Sequence, residues 1–329
     1  MKAVLTKPFL AVAAMLACLP SAAPFAATAE AVHYAVQQRW DLGPATRWDY
    51  LALDPQRERL FVTRGDHVQV LDAGTGKPVG EIAGTAGVHG VAFAQDLKLG
   101  FTSNGRANGV TVFDLDTLQV RRELAVKGAN PDAILYDPAT RKLYTFNGKS
   151  QDVSVFDAAS GKPLATIAVG GKPEFAATDG KRVYVNIEDR NEIVAIDAGT
   201  DRVLAHWPLA GCEEPSGLAL DTAHARLFSV CGNRTMMVTD SASGKVVARV
   251  AIGDHPDAAY YDAGSATVFS SNGAGTLSVV RQLDADHYAP AVEVPTLKGA
   301  RTMAFDPANR KVFLPTAVDK TFTMVVVGP

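Results

Sequence analysis

The sequence predicts an all-β fold, a seven-bladed β-propeller of four-stranded blades. Seven aspartates, Asp54, Asp96, Asp137, Asp179, Asp221, Asp262 and Asp306, recur at intervals of 41 to 44 residues. Self-similarity at that period marks a four-stranded blade repeated around an axis. Between successive aspartates the same order of Val-, Ile-, Phe- and Tyr-rich runs and Gly-, Asp- and Pro-rich breaks returns, which is the signal of short strands and tight turns. A repeat array is counted in blades, so residues 30–329 read as one domain.

The N-terminal segment comes first. Residues 1–29 read as a secretory signal, with Lys2 and Lys7 as its positive end and 9–19 as an apolar stretch too short to span a bilayer. Ala27-Thr28-Ala29 is a small-x-small cleavage site, so the mature chain is expected to start near Glu30 in the periplasm or outside the cell. The alternative is an outer-membrane lipoprotein anchored through Cys18, for which Met15-Leu16-Ala17-Cys18 is a poor lipobox. No later apolar run is long enough to be a transmembrane segment.

Residues 33–40 have strand character and no blade of their own. Blades 1 to 6 follow at about 50–84, 90–126, 133–169, 175–210, 217–252 and 258–294. In blade 3, strand a is 133–136, strand b 143–146, strand c 153–156 and strand d 163–169. The chain ends on only three strands, near 302–305, 312–314 and 322–327. Pairing 33–40 beside 322–327 completes the last blade and removes two open sheet edges.

The turns use ordinary chemistry. Gly74-Thr75-Gly76-Lys77 imitates part of a phosphate loop, but Pro78 stands where a Ser or Thr is needed. Gly161-Lys162 and Gly244-Lys245 fall in the same register, so all three read as turns between strands c and d. Asp72, Asp114, Asp157, Asp197 and Asp240, ending strand c, are expected to accept backbone hydrogen bonds there. His67, His206, His224 and His287 read as surface or structural residues.

The chain carries 32 Lys and Arg against 35 Asp and Glu, a net charge of −3. Cleavage after residue 29 removes two lysines and no acid, leaving about −5, the wrong sign for broad nucleic-acid binding. It also removes Cys18 and leaves Cys212 and Cys231, a disulfide candidate in an exported protein.

Gly180-Lys181-Arg182-Val183-Tyr184-Val185-Asn186 followed by Ile193-Val194-Ala195-Ile196-Asp197 resembles the YVTN-type propeller repeat, as does the stretch from Val155 through Gly170. The mature chain as a whole looks like a YncE-like, seven-bladed exported bacterial protein. The resemblance implies the fold and carries over no catalytic residue. It also keeps DNA binding in view, against which the charge balance argues.

In a propeller, strand a lines the central channel, and the d–a and b–c loops share one face. The residue entering strand a then points to the channel mouth, giving Asp49, His89, Asp132, Glu174, Ser216, Asp257 and Arg301. Crowded carboxylates must take up protons, pair with a cation or stay hydrated. Asp49, His89, Asp132, Glu174 and Asp257 are therefore candidate ligands for a divalent metal. Arg301 is the local counter-charge, and His89, Glu174 and Arg301 are candidate proton movers or charge stabilisers. Plain hydration of a structural ring is the competing reading. A second circle after strand b (Arg64, Asn104, Asn147, Glu188, Cys231, Asn272 and Thr316) and a rim of Trp48 and His255 would complete a polar funnel; the competing reading of Asn-Gly at 104–105, 147–148 and 272–273 is ordinary turn chemistry.

Two function classes compete. One is an exported module binding a small molecule or a protein of the cell envelope. The other is a metal-assisted hydrolase, lactonase or lyase in the same funnel.

Overall fold

The computed structural model describes residues 1–5 and 33–329. The expected signal and its cleavage site fall almost wholly outside the described residues. The chain divides into Met1–His33 and Tyr34–Pro329, and the second unit is the propeller. It contains seven four-stranded antiparallel sheets.

Blade 3 shows the plan. Its strands are Pro131–Asp137, Lys142–Asn147, Asp152–Asp157 and Pro163–Ala168. Strands b and c are buried on both faces because neighbouring blades cover them, so they read as nearly continuous apolar runs. Leu143 lies opposite Phe156 and Tyr144 opposite Val155. Strand d alternates exposed and half-buried positions at the outer wall, and strand a faces the channel.

The periodic aspartates close the turns between strands a and b. Asp54 Oδ1 accepts the amide of Gln56 at 3.1 Å, Asp221 Oδ1 that of Ala223 at 3.0 Å, and Asp306 Oδ1 that of Ala308 at 3.0 Å. Blade 2 departs from the pattern: a 3₁₀ turn, Gln95–Leu97, replaces it, and Asp96 accepts the Tyr136 hydroxyl at 2.8 Å. At the c–d turns, Asp72, Asp114, Asp157, Asp197 and Asp240 each accept the amide three residues on, at 2.7 to 2.8 Å. Gly76, Gly161 and Gly244 follow with positive φ. They also have no room for a side chain: a Cβ on Gly76 would lie 2.3 Å from the Trp40 ring, and one on Gly244 2.2 Å from the Trp207 ring.

A cation opening strand b ties each of several blades to the next. Arg59 Nη1 donates to the Leu115 carbonyl at 2.9 Å, Lys142 Nζ to Ala198 at 2.8 Å, Arg182 Nη1 to Ser241 at 3.1 Å and Arg226 Nε to Ala285 at 3.1 Å. Phe and Tyr rings fill the space between blades, with Phe61 packed at a tilt against both Phe93 and Phe113.

The N-terminal strand closes the ring. Ala35–Pro44 pairs antiparallel with Thr321–Gly328, from Ala35 opposite Gly328 to Pro44 opposite Thr321. It runs beyond the expected 33–40 because a bulge after Asp41 absorbs the register shift. There the Asp41 carboxylate accepts the Gly43 amide at 2.8 Å, and Gly43 takes φ 89°.

Candidate functional site at the channel mouth

The ring residues reach the mouth through a local irregularity. Strands a of blades 3 to 6 begin on Pro131, Pro173, Pro215 and Pro256, and in each the a–b register shifts directly after that proline. Blade 2 shifts the same way after Val88. Proline supplies no amide to the ladder, so it suits a strand start or bulge, and the bulge re-aims the next side chain. Those next residues are Asp132, Glu174, Ser216, Asp257 and His89.

The preceding blade fixes the ring backbone. Ser103 Oγ donates to the Asp132 carbonyl and Ser271 Oγ to that of Arg301. Asn186 Nδ2 donates to the Ser216 and Gly217 carbonyls at 3.0 and 3.1 Å, and Thr302 Oγ1 to that of Asp49 at 2.9 Å. Nothing in a single repeat marks these four residues, because each acts on the next blade.

Asp49, His89 and Asp132 converge. His89 Nδ1 lies 2.6 Å from Asp49 Oδ2 and 3.6 Å from Asp132 Oδ1. One donor atom from each residue falls within 4.8 Å of the others, a separation that can hold a metal ion. Burial opposes charge on His89, but the hydrogen bond to Asp49 and the charge of Asp132 outweigh it and raise its pKa above the ordinary 6.5. Burial pushes the Asp132 carboxyl up to about 6; His89 pulls against this and Asp49 adds to it.

The other acids have partners. Lys172 Nζ lies 2.7 Å from Glu174 Oε1 and also bonds Glu188. Burial and the charge of Asp132 nevertheless move Glu174 upward from its usual range. Arg301 Nε stands 3.4 Å from Asp257 Oδ2. Burial takes Asp257 to about 6 despite that arginine, with Asp49 and Asp132 contributing. A hollow of about 730 Å³ opens between Glu188, Glu214, His255, Asp257, Lys298 and Arg301.

Tyr50 is a residue the sequence reading passed over. It follows Asp49 directly, is 9% exposed, and packs its ring 5.3 Å from Phe175. Burial, then the charges of Asp132, Glu174, Asp49 and Asp257, hold its hydroxyl well above the usual tyrosine range, so that hydroxyl feels all four ring acids. Below it lies an apolar channel of about 580 Å³ lined by strand a of every blade. The available signal was an aromatic residue directly beside a ring acid.

Apart from Glu188, the expected second circle does not line the mouth. Asn104, Asn147 and Asn272 are buried and use their amides inside their own blades. Asn104 bonds Thr111 at 2.8 Å, Asn147 Ser154 at 2.9 Å, and Asn272 Ser278 at 2.8 Å. Arg64 is sunk into the closure, donating to the Leu42 and Pro44 carbonyls with its guanidinium 4.0 Å over Phe322. Trp48 packs on the same Phe322, 5.4 Å between rings, instead of walling a funnel. His255 is exposed at the rim, 3.4 Å from Asp254. His67, His206, His224 and His287 each pair with a nearby acid, as surface histidines do.

In blade 5, Cys212 and Cys231 form a disulfide, Cα to Cα 5.4 Å. It ties the loop entering strand a to the end of strand b.

Seven such blades around one channel define a β-propeller with a polar mouth. Solved structures agree on the fold. A chain of the mitotic checkpoint complex superposes with a TM-score of 0.78 at 16% identity, covering 96% of this chain and 99% of that one. The RRP9 WD40 repeats give 0.75 at 8% identity, over 89% and 97%. A chain of Kuenenia stuttgartiensis hydrazine synthase gives 0.71 at 18%, over 86% and 95%.

Sequence relatives narrow this. YncE of Escherichia coli K12 is 27% identical over 174 residues, 48% of each chain. YncE of Salmonella typhi is 26% identical over 234 residues, 65% of this chain and 64% of that one. The matches thus span about half to two thirds of these relatives' length. Antigen Lp49 of Leptospira interrogans is 32% identical over 87 residues, 26% of this chain and 19% of that one. No family profile matches the chain. The chain is a seven-bladed β-propeller whose sequence is similar to the YncE proteins over about half to two thirds of its length.

Proposed function

We propose that this chain is an exported ligand-binding propeller whose channel mouth takes a divalent cation, held by Asp49, His89 and Asp132. The carrying observation is the convergence of three donor atoms within 4.8 Å of one another. Support comes from an acid ring short of counter-charge: Asp132 and Asp257 rise to about 6 because burial and neighbouring carboxylates disfavour a second negative charge. A cation relieves that repulsion. Two carboxylates and an imidazole suit Mn²⁺, Zn²⁺ or Fe²⁺. Export rests on the lysines and apolar run of residues 1–29 and on the disulfide, which persists in oxidising compartments. No helix among the described residues is long and apolar enough to cross a membrane.

The test is calorimetric titration of Mn²⁺ and Zn²⁺ into chelator-treated protein. One site per chain, lost in Asp132→Asn, is the expected result. Equal binding by that variant removes Asp132 from the site.

One observation favours a second reading, the metal-assisted hydrolase, lactonase or lyase. Glu174, raised toward neutrality beside the cluster, has the character of a general acid or base. Turnover of lactones or esters that depends on added metal and falls at least about a hundredfold in Glu174→Gln would establish it.

A further inference from the structure

Beside the acidic cluster lies a pocket of opposite character. It encloses about 380 Å³, within the range of small-molecule sites. Arg47, Arg106 and Lys149 line it together with Asn108, Asn130 and His89, and no carboxylate is among its lining residues. The three cations come from three consecutive blades. Arg47 precedes strand a of blade 1, and Arg106 and Lys149 sit on the b–c turns of blades 2 and 3. Among the described residues none of the three forms an ion pair. Asp66 acts on Arg106 from outside the lining, but within the pocket the three like charges face no carboxylate, and an anion bound there offsets their repulsion.

The backbone seats these side chains. Gly87, at φ +71°, approaches Arg106 so closely that a Cβ there would lie 2.6 Å from the Arg106 Cβ. Gly65, at φ +82°, lies beside Arg47: a Cβ there would meet the Arg47 Cβ at 3.4 Å, an ordinary contact. Gly105 leaves the far edge of His89 uncovered: a Cβ at 105 would lie 2.6 Å from Nε2. His89 thus turns Nδ1 to Asp49 and Nε2 to the pocket wall.

We infer that this pocket binds a small oxyanion ligand, a carboxylate or phosphate group held by Arg47, Arg106 and Lys149, with the rest of the molecule against Nε2 of His89. A polyanion is disfavoured because the neighbouring mouth is acidic and the chain carries net charge −3. The inference uses none of the carboxylates of the proposed cation site.

The experiment is calorimetric titration of the full chain with inorganic phosphate and, separately, with succinate, in metal-free buffer. Saturable binding of at least one probe is expected, and comparing the two identifies the anionic group. Affinity should fall at least about tenfold in Arg106→Ala/Lys149→Ala, since charge-assisted hydrogen bonds are lost while the melting temperature holds. Asp132→Asn should keep anion binding even if it abolishes cation binding. Gly105→Ala should weaken the probe by crowding Nε2 without touching a cation. The inference is overturned if neither probe binds, if binding survives the double variant, or if it is lost in Asp132→Asn, which would place the anion at the Asp49, His89 and Asp132 cluster instead of at the three cations. Tighter binding of a short single-stranded oligonucleotide at the same arginine and lysine would likewise overturn the small-ligand reading.

Discussion

His89 Nδ1 and Asp49 Oδ2 stand 2.6 Å apart across the boundary between blades 2 and 1, joining residues 40 positions apart. Asp132 approaches the same nitrogen at 3.6 Å from blade 3. The imidazole is therefore gripped between two carboxylates. Either a proton or a metal ion can neutralise that arrangement, and the two compete for the same nitrogen.

That geometry predicts how His89 titrates. Its pKa should lie above the ordinary 6.5 in metal-free protein. Asp49→Asn removes the nearer negative charge and should lower it. Histidine NMR titration of both proteins checks this; an unchanged pKa would show that Asp49 does not hold the proton.

The mouth acids predict an unusual pH profile. Asp132 and Asp257 titrate at about 6 in the fold against an ordinary 3.8, so the folded chain binds more protons than the unfolded one across that window. Stability should fall as pH rises from about 4 to 6. Glu174 extends the loss upward, and the increment from His89 has the same sign, present below 6.5 and lost as pH passes its folded pKa. The c–d turn aspartates Asp72, Asp157 and Asp197 are depressed instead, so their contribution appears below about 4 and is complete above it. Calorimetry should show a stability maximum on the acid side of neutrality. At pH 8, Asp132→Asn should raise the melting temperature by a few degrees.

Lys142 tests the ties between blades. Its ammonium reaches the Ala198 carbonyl and both oxygens of Asp201 at 2.8 to 2.9 Å, with both side chains largely buried. Lys142→Met should cost about 2 kcal/mol, because it leaves Asp201 without its cation. Denaturant unfolding measures the loss, and a cost within about 0.5 kcal/mol would mean that apolar stacking alone joins blades 3 and 4.

The disulfide makes a separate prediction. Cys212 and Cys231 lie 19 positions apart, so reduction or Cys212→Ser/Cys231→Ser should cost roughly 3 kcal/mol by the loop-entropy relation. Chemical unfolding with and without reductant reads this directly.

The fold was legible because each blade repeats local rules. Asp137 and Asp157 cap turns through their own neighbours, so the period shows in the chain itself. The placement of Asp132, Glu174 and Asp257 follows from a local rule as well: each comes directly after the proline that opens strand a, where the register shifts. Asn104, Asn147 and Asn272 misled because an Asn-Gly turn looks alike whether its amide faces a ligand or its own blade. Arg64 misled because the acceptors that consume it, Leu42 and Pro44, belong to the closing strand. Tyr50, Ser103 and Asn186 stayed hidden because their roles depend on adjacent blades, which no single repeat displays.

The most direct test of the proposed cation site is elemental mass spectrometry of the purified protein beside Asp49→Asn/Asp132→Asn. The account predicts close to one Mn, Zn or Fe per chain, absent from the variant, with both proteins folded by circular dichroism. Metal-free wild-type protein that takes up no divalent ion on dialysis, or a variant that retains the same metal, would contradict it.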